Sequence, residues 1–195
     1  ISDNSLSLDV VKPYTHLGHM QARDFTYKSF GKVPSENKGS LIVTNSTVID
    51  AQFNNTETGT AHLSGLTLDD ATGSAEIPFT NQGQMILRKL KSLGEHADHS
   101  PILRPIVNGS ISNSKAKLFI EDSGYSYGVE ESKKGRELKY GGFAFGKTVN
   151  YGTIGFKDGT YHIRGDFENI GIHEVLPGQD LWYFDLLNYG EIQSN

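Results

Sequence analysis

Hydrophobic and polar residues alternate along most of this chain with a period of two, the spacing that sends successive side chains to opposite faces of a strand. In residues 38–55 (KGSLIVTNSTVIDAQFNN), Leu41, Val43, Ile49, Ala51 and Phe53 share one parity, while Thr44, Ser46, Asp50 and Gln52 share the other. Residues 151–168 (YGTIGFKDGTYHIRGDFE) read as a hairpin about Asp158-Gly159, a pair suited to a positive-φ turn, with Tyr161, Ile163 and Phe167 on one face. KAKLFIED (115–122) and YGGFAFG (140–146) give further strands, bounded by polar or glycine turns. One stretch departs from the pattern. In TNQGQMILRKLKSLGEH (80–96), Ile86, Leu90 and Leu93 fall at helical spacing, Thr80 or Asn81 can cap the start and Gly94 can end it, so a helix of two to three turns is predicted. The cations Arg88, Lys89 and Lys91 would then complement its C-terminal dipole. We find no internal repeat, low-complexity tract or heptad pattern, and place a soft boundary near Pro101 to Pro105.

Composition narrows the function. The chain has 195 residues, enough to bury a sizeable core, and 22 glycines. With no cysteine, disulfides, thiolate metal sites and iron–sulfur centres are excluded, and histidine is the strongest transition-metal ligand left. A formal net charge of -5 disfavours nucleic acid as a partner. No run approaches the ~18 apolar residues of a membrane span. The opening ISDNSLSLDV, without methionine, is what a processed secreted protein would show. Motifs that encode catalysis, such as G-x-S-x-G, a phosphate loop or H-E-x-x-H, are absent, and a non-enzymatic role is expected.

Four of the seven histidines form two His-x-x-His pairs, His16 with His19 in YTHLGHM and His96 with His99 in GEHADHS. The first pair sits in an aromatic and thioether setting made by Tyr14, Met20, Phe25 and Tyr27. Neutral imidazole ligates iron, zinc and copper, and an apolar wall suits a porphyrin face. His62, His162 and His173 have no partner in sequence and read as structural or solvated.

The C-terminal half, GGFAFGKTVNYGTIGFKDGTYHIRGDFENIGIHE, resembles the glycine- and aromatic-rich barrels of transferrin-binding B lipoproteins, and the whole chain is similar to the hemophilins, secreted haem-binding proteins of Gram-negative bacteria. The resemblance implies a mainly β protein: a haem-binding β-rich part with one short helix over 1–105, then an antiparallel eight-stranded β-barrel over 106–195. It also implies a secreted hemophore that takes haem b from host sources, host haemoglobin among them, and passes it to an outer-membrane haem receptor. His96, His99, His19 and His16 would be the candidate iron ligands, one or two of them axial. Tyr14, Met20, Phe25 and Tyr27 would line the pocket, with Arg88, Lys91 and Arg104 near the propionates. Two rivals stay open: a zinc or copper binder using the paired histidines, and an adhesin-like barrel that binds a host protein.

Overall fold

The computed structural model describes residues 5–10, 14–29, 34–49, 52–65, 67–69, 79–89, 91–93, 103–123, 125–132, 135–142 and 144–194. The chain winds as a solenoid of eight stacked coils. Coil 1 comprises β1 (Ser5–Val10), β2 (Tyr14–His16) and β3 (His19–Ala22). Coil 2 repeats it with β4 (Asp24–Ser29), β5 (Pro34–Asn37) and β6 (Ser40–Thr44). Coil 3 has β7 (Ser46–Ile49), β8 (Gln52–Asn55) and β9 (Thr60–Ser64), and coil 4 has β10 (Thr67–Asp69), β11 (Phe79–Asn81) and β12 (Gln84–Arg88). Coil 5 contains β13 (Lys91–Leu93), β14 (Leu103–Asn108) and β15 (Lys117–Glu121). Coil 6 begins with a hairpin, β16 (Tyr125–Ser132) and β17 (Gly135–Gly142), and continues in β18 (Ala144–Asn150) and β19 (Thr153–Lys157). Coils 7 and 8 have two strands each, β20 (Gly159–Asn169) with β21 (Ile172–Val175), and β22 (Gln179–Asn188) with β23 (Glu191–Ser194).

Each strand pairs in parallel with its counterpart in the next coil. Sheet A has five strands, from β1 to β13, and sheets B and C have eight each, from β2 to β22 and from β3 to β23. After coil 5 sheet A ends, and the long strands β18, β20 and β22 break register near their middles, between Phe145 and Thr148 and between Ile163 and Asp166. The described backbone thus closes the last coils with two strands where the first use three.

Register turns the alternating pattern into rows of identical position. Met20, Leu41, Ala61, Met85, Leu118, Ile154, His173 and Ile192 form one inward row of sheet C. Ala22, Val43, Leu63, Leu87, Ile120, Phe156 and Val175 form a second. Across the interior, sheet B contributes Phe53, Phe79, Ile106 and Phe167, the first two stacked with ring centroids 5.3 Å apart. Burying each such side chain is worth about 1.5–3 kcal/mol, so the core is a column along the solenoid axis.

A polar row runs through this column. Asn37, Asn55, Asn81, Asn108, Asn150, Asn169 and Asn188 close consecutive strands of sheet B, and each amide nitrogen donates to the next Oδ1 at 2.7–2.8 Å. The same nitrogen donates to the first carbonyl of the sheet C strand one coil ahead, as Asn108 does to Thr153 at 2.8 Å. Side chain and corner backbone thereby satisfy one another, which a buried turn requires.

These findings correct four expectations. The antiparallel barrel is overturned because every strand of its span except the β16–β17 pair lies in a parallel sheet. The helix is replaced by β11, β12 and β13: Met85 and Leu87 point inward at a period of two, and Lys89 turns the corner at φ 52°. Asp158-Gly159 is a corner between sheets C and B, with the positive φ, 48°, on Asp158 and a tight approach at Gly159 to the Ser123 carbonyl. An internal repeat does exist, since Asn-x-Gly recurs at 37–39, 81–83, 150–152, 169–171 and 188–190. The position expected as a boundary, 105, lies within β14, which pairs with β11 on one side and β18 on the other. Among the described residues, no helix is long and apolar enough to cross a membrane.

Candidate functional site

His16 occupies the asparagine position of coil 1, in register with Asn37. Its Nε2 lies 3.2 Å from the Ser40 carbonyl, the acceptor that a row asparagine would use there. An imidazole offers one such donor where a primary amide offers two, and Asn37 Oδ1 is left buried without a partner. Around this defect lies a cavity of about 30 Å³, lined by Tyr14, His16, Met20 and Phe25 with Asn37, Leu41, Phe53 and Leu63. Ser35 contributes to the void, since it stands between Tyr14 and Phe53 in a row that is otherwise mostly large and apolar. Four residues expected at a haem pocket therefore meet around one space, with His16 committed to the backbone. A volume of this size accepts one or two waters.

The remaining candidates are dispersed. His19 opens β3 and is exposed, with its side chain on the outer face, so the first His-x-x-His pair is split between interior and surface. His96 and His99 lie outside the described residues, as do Glu95 and Asp98. Tyr27 is in β4, Lys91 opens β13 and Arg104 lies in β14, all placed by backbone alone. Arg88 donates from Nε to Glu121 Oε2 at 2.6 Å, across a registered pair of β12 and β15. His62 is exposed on β9, and His162 is a backbone position of β20. Among the described residues no three His, Asp or Glu side chains converge as a metal site would require.

Two buried ionisable groups stand apart in coils 6 to 8. Tyr161 is fully buried, and its hydroxyl reaches the carbonyls of Lys157 at 2.6 Å and Ile120 at 3.1 Å. Burial pushes its pKa up to about 12, against the opposing hydrogen bond from the Ser123 amide. The phenol is a staple that holds two corners on the side where sheet A has ended. His173, 4% exposed, has neither ring nitrogen hydrogen-bonded, and burial lowers its pKa below the ordinary 6.5.

Outside the tube, the corner that follows the asparagine row carries Tyr151, Ile170 and Tyr189 in successive coils, each amide donating to an asparagine carbonyl one coil back. Ile170 is 39% and Tyr189 69% exposed, and Leu187, on the outer face of β22, extends the patch. Lys147 and Glu168 stand nearby on the outer face of sheet B, 3.9 Å apart. No family model, curated protein or solved structure matches this chain. Sequence reading missed this patch because its members are spaced by the coil period, and the repeating Asn-Tyr-Gly and Asn-Ile-Gly triplets were the available signal.

Proposed function

We propose that this chain is a non-enzymatic, protein-binding β-solenoid, close in role to the adhesin-like alternative and distinct from it in fold. The observation that supports this reading is the exposed patch of Ile170, Leu187 and Tyr189, continued by the half-buried Tyr151 and held on three rigidly stacked coils. Adjacent coils lie about 4.8 Å apart, so their outer residues form a fixed array that needs no ordering on binding. Solenoids use such lateral surfaces for extended contacts, and contiguous exposed apolar groups mark interaction sites. The test is biolayer interferometry of the purified chain against a panel of defined serum and extracellular-matrix proteins. The exposed double variant Ile170→Ser, Tyr189→Ser should keep the β-sheet circular dichroism and lose any saturable binding. Equal binding by the variant would remove the patch from the mechanism.

Haem capture by a released carrier is the second reading, and its support is the meeting of Tyr14, His16, Met20 and Phe25 around one cavity. Pockets for ligands of that size usually measure about 300–1,000 Å³, which places protein binding ahead. Titration with ferric haem distinguishes the two, because an axial imidazole in a closed pocket gives a sharp, saturable Soret band.

A further inference from the structure

The inward row that contains His173 is otherwise built of Met20, Leu41, Ala61, Met85, Leu118, Ile154 and Ile192. One position in eight holds an ionisable ring. Its neighbours are apolar: Ile154 on the preceding coil, Ile192 on the following one, and the rings of Phe156 and Phe167 meeting it edge-on at centroid distances of 6.0 and 5.2 Å. Neither Nδ1 nor Nε2 has a partner, so even the neutral ring buries an unmet donor. Ile192, its cover on coil 8, is itself 46% exposed.

We propose that His173 makes the junction between coils 7 and 8 acid-sensitive: neutral, the ring fills its place in the row, and protonated, it requires water, which the opening of β22 and β23 supplies. Among the described residues, no charged group is placed to compensate the cation. On the flanking strands Lys157, Glu168, Glu174, Asp185 and Glu191 alternate to the outer face, and the inward ionisable group beside Phe156 is the Tyr161 phenol, which stays neutral throughout the acid range. Because burial lowers the folded-state pKa, the opened state binds the proton more readily. The closed form therefore keeps its full advantage above pH ~6.5 and loses it as pH falls towards the folded-state pKa, by about a factor of ten in the closed-to-open ratio per pH unit.

The backbone amides of β22 and β23 read this junction, since the two strands pair across it with β20 and β21. Their hydrogen-exchange protection factors should fall on acidification from pH 7.5 to 5, while far-UV circular dichroism retains the bulk of the β signal and return to pH 7.5 reverses the change. His173→Leu restores the residue type of the row and should abolish the pH response. His173→Gln keeps a neutral polar group there, and should show weaker protection than wild type at pH 7.5 and respond little to acid. An identical pH response in His173→Leu, wild-type protection that does not change down to pH 5, or loss of the whole β signal in step with the protection would each overturn the proposal.

Discussion

At the scale of single residues, the asparagine row shows how a polar side chain can be as much a core residue as leucine. A buried primary amide with both hydrogens and its oxygen engaged avoids the desolvation cost of an unmet polar group, and linked amides polarise one another. His16 interrupts that arrangement at one end and leaves Asn37 Oδ1 unpaired. Replacing His16 with Asn supplies the missing donor while keeping the bond to the Ser40 carbonyl. The variant should be more stable by about 1 kcal/mol, read as a higher urea midpoint at unchanged slope. A destabilised His16→Asn would show that the imidazole itself is needed beside the cavity. The identity of these asparagines was plain in the sequence, but asparagine is so common in turns that hydropathy alone assigns it to loops.

At the scale of elements, the strands were legible and their partners were not. Alternation correctly placed Leu41, Val43, Phe53, Tyr161, Ile163 and Phe167 on buried faces. It could not distinguish a strand paired with its sequence neighbour from one paired a full coil away, because the period of two is the same in both. The stretch around Ile86 was misread because a strand, a left-handed corner and a second strand together brought Ile86, Leu90 and Leu93 to helical spacing. Corners leave a clearer trace. A Cβ on Gly171 would collide with the backbone of Tyr151 and Gly152, atoms that cannot move without parting the coils, whereas a Cβ on Gly18 meets nothing within 4 Å. Gly171→Val should cost about 2 kcal/mol and Gly18→Val far less, a difference that thermal melts of the two variants would expose. Equal melting temperatures would contradict the stacked corner.

At the scale of the whole molecule, stability is the sum of coil and interface contributions along one axis, so position along the stack matters as much as residue type. Leu118, fully buried in coil 5, touches coils on both sides, and Leu118→Ala should cost about 3 kcal/mol through the cavity it leaves. Ile192, half exposed on coil 8, should cost about 1 kcal/mol or less on the same truncation, as measured by chemical denaturation. Similar losses would argue against a one-dimensional stack. What the sequence determined by itself was a cysteine-free, mainly β chain and the inward and outward faces of several strands, because these follow from side-chain chemistry and the geometry of a single strand, whereas the Asn-x-Gly repeat became visible only once the coils were stacked. Tertiary structure alone decided that strands pair in parallel across coils, that His16 lies in the asparagine row, that Arg88 meets Glu121 and that Tyr151, Ile170 and Tyr189 form one patch. Those contacts join residues 19 to 42 positions apart in successive coils, as the asparagine bonds between coils 5 and 8 do. Such separations are set by loop lengths that vary from coil to coil, and local hydrophobic periodicity carries no information about them.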